Sequence, residues 1–144
     1  MPKALRRTIA IFLSVGSAVV VLALLGFYGT LSSPSTAAPH VALLYVGADD
    51  CPPCLAWQRG AGAEFRISSL YQRLDYREIK SPRLFDLLKD EYWPSDLRRH
   101  RARLRPGTGA PLWIVLANDE VVFERSGAGY WESGVLPKIE KLLR

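Results

Sequence analysis

The chain has 144 residues, enough for one domain with a substantial core and too few for two. Its formal charge of +5 overstates its basicity. Setting Lys3, Arg6 and Arg7 apart from the 19 basic residues leaves 16 against 14 acidic ones, a near balance that gives no ground for a nucleic-acid partner.

Those three cations precede "IAIFLSVGSAVVVLALLGFY", residues 9–28, which run for 20 residues without a charge. At about 1.5 Å per helical residue, such a run spans a hydrocarbon layer of roughly 30 Å. No charged residue follows before Asp49, so the positive flank is expected in the cytoplasm and the remainder outside. Residues 1–8 read as a cytoplasmic basic tail and 9–28 as a transmembrane signal-anchor. A cleaved signal peptide is the competing reading, although its apolar core would usually be only about 7 to 15 residues long. A small-residue site exists near "STAAP", where Pro39 makes one cut awkward. The Arg6–Arg7 pair hints at twin-arginine export, while the strongly apolar core favours the general secretory route. Either way, the working domain is expected in an oxidising compartment.

"GTLSSPSTAAP" is small, polar and proline-containing, and residues 29–40 read as a flexible linker. The domain proper is expected over 41–144. "HVALLYVG" has the look of a strand buried on both faces. Beyond the cysteines, Leu55, Ala56, Trp57, Ala61 and Phe65 suit a helix, weakened by Gly60 and Gly62. "LDYREIK" predicts a second strand around Tyr76 to Ile79. Ser81 and Pro82 look like an N-cap and first helical residue, with Leu84, Leu87 and Leu88 on one face of the helix behind them. Pro94 and Ser95 restart a basic helix that should end near residues 105–109. Its "LRRHRARLR" carries five arginines and reads as a solvated helix face or, alternatively, a patch for a partner. "PLWIVLANDEVVFERSG" predicts two strands joined across a tight turn at Asn118-Asp119. A last helix over about 133–143 carries Val135, Leu136, Ile139, Leu142 and Leu143 as its apolar stripe. The order of elements predicts an α/β domain, a central mixed β-sheet flanked by helices on both faces.

Both cysteines lie in "CPPC", residues 51–54. A closed zinc site needs four ligands, and only Cys51, Cys54, His40 and His100 are available, the histidines in unrelated segments. No metal site is expected. A structural disulfide is unattractive because so short a loop gains least from closure. Redox chemistry suits the setting better. A buried strand hands over to a helix here, so Cys51 should sit at the helix N-terminus, where the dipole and free N–H groups favour a thiolate. The thiolate is the attacking species in disulfide exchange, and Cys54, one turn on, is placed to resolve the mixed disulfide.

This arrangement resembles the thioredoxin superfamily over about residues 41–144. The resemblance rests on "VALLYVGADDCPPC" as first core strand and active site, "GAPLWIVL" as the proline-led third strand, and "NDEVVFERSGAG" as its hairpin partner with a glycine turn. It implies a thioredoxin-like fold preceded by the one N-terminal transmembrane helix. It also implies a redox-active Cys51–Cys54 disulfide with no other cofactor. Pro111 would be cis and lie against that disulfide, where in isolation a trans proline would be the default. The Ala110 backbone would pair with an extended substrate beside Cys51. Two departures stand out. The family's buried acid six positions before the first cysteine is Tyr45 here, so help in deprotonating Cys54 must come from elsewhere or be absent. The family's tryptophan before the first cysteine is Asp50, next to Asp49; this acidic pair serves either as a turn and capping sequence or as a tuning charge. The leader and the tail "GYWESGVLPKIEKLL" look most like exported thioredoxin-like proteins associated with bacterial sulfur-oxidation systems. That likeness implies a single pass through the inner membrane with the domain in the periplasm or, if the leader is cleaved, a soluble periplasmic protein.

Pro52 and Pro53 have no N–H, so two donors that would stabilise a Cys51 thiolate are missing, leaving the Cys54 and Leu55 amides. Asp49 and Asp50 add negative charge, which disfavours a further anion. A less stabilised thiolate means a more stable disulfide and a lower potential. The expected activity is that of a thiol–disulfide oxidoreductase that reduces, or relays electrons to, protein disulfides, with a membrane electron donor. The alternatives are a disulfide oxidase or isomerase on the same scaffold, or a non-catalytic docking or regulatory module. Trp57, Trp93, Trp113 and Trp131 read as core or groove-rim aromatics.

Overall fold

The computed structural model describes residues 38–144. The tail predicted over 1–8, the anchor over 9–28 and most of the linker over 29–40 lie outside the described residues. Among the described residues no helix is long and apolar enough to cross a membrane.

Strand β1 (Val41–Ala48) is buried along its whole length, as its unbroken apolar run predicts. It pairs in parallel with β2 (Asp75–Ser81) on one side, from Ala42 opposite Asp75 to Ala48 opposite Ser81. On its other side it runs antiparallel to β3 (Leu112–Ala117), with Val46 opposite Leu112. Strand β4 (Glu120–Ser126) closes the sheet antiparallel to β3, giving the order β2-β1-β3-β4. The β3–β4 turn holds Asn118 at φ 50° and Asp119 at φ 68°, the two left-handed residues that suit a two-residue hairpin. Asn118 also clamps the entry to β1, since its Oδ1 accepts from His40 N–H and its N–H donates to the His40 carbonyl, each at 2.9 Å.

The period-2 alternation of a strand sends Leu43 and Tyr45 to one face and Leu44 and Val46 to the other, and each face has its own core. The first face is covered by α1 (Pro52–Arg59), α2 (Ala61–Arg66) and the C-terminal segment. Helices α1 and α2 are one predicted helix broken at Gly60, which leaves helical geometry at φ −96°, ψ −111°. The C-terminal segment begins as a wide π turn over Trp131–Val135 and becomes regular in α4 (Leu136–Leu142), after α3 described below. Pro137, without an N–H to give, sits at the boundary between the two windings.

The second face corrects the sequence reading. No helix forms behind Ser81-Pro82; the chain makes 3-10 turns at Leu84–Asp86, Asp90–Tyr92 and Ser95–Leu97, then one short helix, α3 (Arg98–Arg101). Two polar interactions divert it. Ser81 Oγ donates to the Arg83 carbonyl at 2.8 Å instead of capping a helix. Asp86 turns inward, where Arg83 Nη2 and Lys89 Nζ close on its two oxygens at 2.8 and 2.9 Å. The basic helix likewise stops near residue 101, short of the predicted 105. Its arginines tie this excursion down: Arg101 pairs with Asp90 at 2.7 Å and donates to the Leu88 carbonyl, and Arg99 pairs with Asp119.

This is the topology of a thioredoxin-like α/β fold, a mixed sheet with the parallel pair β1/β2 inside it and cover on both faces.

Candidate active site

The register of the sheet gathers the site at one end. Leaving β1 at Ala48, leaving β2 at Ser81, entering β3 at Leu112 and leaving β4 at Ser126 all occur there, since Ala48 faces Ser81, Val46 faces Leu112, and Leu112 faces Ser126. It is the carboxyl end of the parallel pair, where open α/β sheets place their ligands.

Cys51 and Cys54 form a disulfide at this end. Cys51 is the N-cap of α1, held in the extended region at φ −102°, ψ 101°, the conformation that a following proline favours. Pro52 and Pro53 occupy the first helical positions, both exposed, and withdraw two of the four free N–H groups of the helix start. Of the two amides left by the sequence reading, one reaches sulfur: Cys54 N–H donates to Cys51 Sγ at 3.3 Å. The Leu55 amide is taken by the Cys51 carbonyl at 3.0 Å, so the second expected donor is corrected away. Cys51 is only 2 % exposed and Cys54 is fully buried.

Ala110 precedes a cis peptide bond to Pro111, at the mouth of β3. Ala110 packs against the core cluster that contains both cysteines. Its backbone enters none of the turn and loop hydrogen bonds among the described residues. Pro111 is fixed through its carbonyl, which accepts from Gly127 N–H at 2.7 Å, and Trp113 Nε1 donates to the Gly127 carbonyl at 3.4 Å. Gly127 lies at φ +109°, a conformation that needs glycine, and so forms the expected glycine turn beside the proline loop.

The two aspartates are both engaged. Asp49 meets Lys80 Nζ at 3.0 Å, and its N–H donates to the Ser81 carbonyl. Asp50 Oδ1 accepts from Leu84 N–H at 2.6 Å and so joins the loop after β2 to the residue beside Cys51. That loop walls a hollow of about 620 Å³, with Leu84, Phe85, Leu87 and Leu88 on one side and residues 106–109, which lead into Ala110, on the other. Phe85 is 93 % exposed on its rim.

Beneath the disulfide lies an aromatic block. Tyr45 stacks on Trp57 at 4.7 Å between ring centres, and Trp57 meets Trp113 and Trp131 edge-on at 4.5 and 5.1 Å. The Tyr45 hydroxyl is held by Gln58 Nε2 at 2.7 Å and lies 3.5 Å from the Cys54 carbonyl oxygen, its long second contact. Gln58 Oε1 in turn lies 3.5 Å from Lys80 Nζ. Burial pushes the Tyr45 phenol above its ordinary pKa, against the opposing pull of the Gln58 hydrogen bond, so it stays protonated. Gly47 makes the room: a Cβ there would come within 2.5 Å of the Tyr45 oxygen. Gln58 and Lys80 escaped the sequence reading. Gln58 follows Cys54 by four residues and so shares its helix face, but its contacts with Tyr45 and with Lys80 on β2 are long-range and leave no local signal. His40 and His100 stand apart from the cysteines, and no group of three metal-ligating side chains occurs among the described residues.

No family model matches the chain, and no curated protein matches it in sequence. Among solved structures it is similar to the periplasmic thioredoxin SoxS from Paracoccus pantotrophus, at 15 % identity and a TM-score of 0.47, covering 72 % of this chain and 96 % of that one. It is also similar to thioredoxin F from spinach chloroplast, at 18 % identity and a TM-score of 0.47, covering 79 % and 87 %. The oxidised thioredoxin from Plasmodium falciparum gives 17 % and 0.46, covering 73 % and 83 %.

Proposed function

We propose that the chain is a thiol–disulfide oxidoreductase of an extracytoplasmic compartment, tethered by residues 9–28, that passes electrons from its Cys51/Cys54 dithiol to protein disulfides. The observation that carries this reading is the placement of a Cys51–Cys54 disulfide on the first turn of α1, at the sheet end that also holds the Ala110-Pro111 loop.

In the reduced protein the Cys51 thiolate attacks one sulfur of a substrate disulfide. A Cys51–substrate bond forms, the substrate S–S bond breaks, and its other sulfur leaves as a thiolate that takes up a proton. Cys54 then attacks the Cys51 sulfur, forming the intramolecular disulfide and releasing the second substrate thiolate. Two electrons have passed to the substrate, and a dithiol donor on the membrane side must restore Cys51 and Cys54. The free Ala110 backbone is the group that would pair with the extended substrate.

The direction follows from how little stabilises the Cys51 thiolate. One N–H reaches its sulfur, Pro52 and Pro53 give none, and Asp50 adds negative charge beside it. Lys80 offsets Asp49, so the acidic pair acts mainly through Asp50. A weakly stabilised thiolate favours the disulfide and makes the dithiol a reductant.

A second reading, a docking module with an inert disulfide, draws on the burial of Cys51. Replacing Cys54 by Ser separates the two. An oxidoreductase leaves its substrates covalently held at Cys51, detectable by mass spectrometry and abolished by Cys51→Ser; a docking module forms no such adduct.

A further inference from the structure

Among the described residues no carboxylate is hydrogen-bonded to Cys54, the resolving thiol of the proposed reaction. Beneath it stands the Tyr45–Gln58–Lys80 chain, which runs from the Cys54 carbonyl to an ammonium that is also paired with Asp49. We propose that Tyr45 is the positioning residue for Cys54, a neutral hydroxyl that fixes the first turn of α1 for attack on the Cys51 mixed disulfide and takes no proton itself.

Three observations support this. First, the hydroxyl is enclosed, and Gly47 leaves space for that atom and no side chain of its own. Second, the ring stacks on Trp57 at 4.7 Å and packs against Trp113 at 5.2 Å, with the two indoles in contact with each other, so the oxygen has little freedom beneath the helix. Third, burial keeps the phenol protonated; the charges facing it are Glu78 and Asp49, which raise its pKa further, and Arg66, which lowers it. A group that holds its proton across the working range can orient but cannot serve as the base. The phenol therefore does not take the Cys54 proton, and the pH dependence of resolution carries no phenol titration.

The inference rests on the proposed oxidoreductase activity, so its test first establishes that the full-length wild-type chain forms and resolves a mixed disulfide with an oxidised peptide. Absence of both steps would remove the function and this inference together. Tyr45→Phe keeps the ring and deletes the oxygen. It should slow resolution by about threefold to tenfold, the range of one neutral hydrogen bond, while leaving the rate of initial attack by Cys51 and the midpoint of the pH profile unchanged. Gln58→Met, on the half-buried flank of α1, releases the hydroxyl without touching the aromatic block and should slow the same step in the same direction, even if Tyr45→Phe folds poorly. Resolution at the wild-type rate in both variants would overturn the proposal. So would a midpoint displaced by one unit or more in Tyr45→Phe, which would make the phenol a proton partner.

Discussion

The two faces of the sheet are built by different physics. On the dithiol face, helices α1, α2 and α4 press a block of rings, Tyr45, Trp57, Trp113, Trp131 and Phe65, against the strands. On the opposite face a run of 3-10 turns lays Leu87, Trp93 and Leu97 on the sheet and is tied in place by Arg83, Lys89, Arg99 and Arg101. Packing holds the first face, and charge pairs with carbonyl contacts hold the second. The difference teaches where acid acts: the dithiol end rests on ring packing, while the excursion over residues 82–105 carries a buried His100 and an ion-paired Asp86, both held below their ordinary pKa and both losing their contribution as pH falls.

Breaking the aromatic block should have the largest effect. Trp113→Ala removes a fully buried ring that touches Tyr45, Trp57 and Trp131, and should cost about 3–5 kcal/mol in chemical denaturation. A loss below 1 kcal/mol would mean that the block is loosely packed.

The second face answers to pH. His100 is buried with its Nδ1 unpartnered and Nε2 accepting from Arg99 Nε, and burial, then Arg99 and Arg103, hold its pKa below the ordinary value. A histidine depressed in the folded state contributes fully above its unfolded pKa of about 6.5, and that contribution falls away as pH drops towards the folded value. Stability should therefore decline below pH about 6.5 by no more than roughly 1.4 kcal/mol per pH unit, and His100→Gln should flatten that slope. An unchanged slope in the variant would assign the effect elsewhere. Asp86 works in the same sense at lower pH, because hydrogen bonds from Lys89 and Arg83 hold its carboxyl below the ordinary carboxylate range. Its contribution is present above pH about 3.9 and is lost as pH falls further. Asp86→Asn should loosen residues 83–89 towards proteolysis and leave amide exchange in the β1–β3 core unchanged.

The smallest effect belongs to Phe85. With its ring in solvent, Phe85→Ser should change folding stability by less than about 0.5 kcal/mol. A larger loss would show that the rim of the hollow is packed in solution.

The same division decided what could be read from the sequence. Elements stabilised by periodic apolar residues were legible: β1 as a doubly buried run, the hairpin through Asn118-Asp119, the last helix by its stripe, and the helix start at Cys51 by the handover from the buried strand. The excursion was misread because Leu84, Leu87 and Leu88 have helical spacing. What opposes a helix there is Ser81, whose hydroxyl bonds the Arg83 carbonyl ahead of it, a side-chain competition with the backbone that spacing does not express, together with Asp86 turned inward between Arg83 and Lys89. At the site, Cys51, Cys54, Ala110 and Pro111 were each named before the sheet register brought their segments to one end. The Asp50–Leu84 and Tyr45–Gln58–Lys80 contacts join segments 13 to 34 residues apart, which no local pattern marks.

The reduction potential of the Cys51–Cys54 couple, read by equilibrating the domain with defined thiol buffers, tests the account most directly. A reductant of this kind should titrate near the thioredoxin value of about −270 mV. A value near −120 mV would make the protein an oxidant, and a disulfide resisting reduction well below about −300 mV would make it a structural staple; either result would contradict the account.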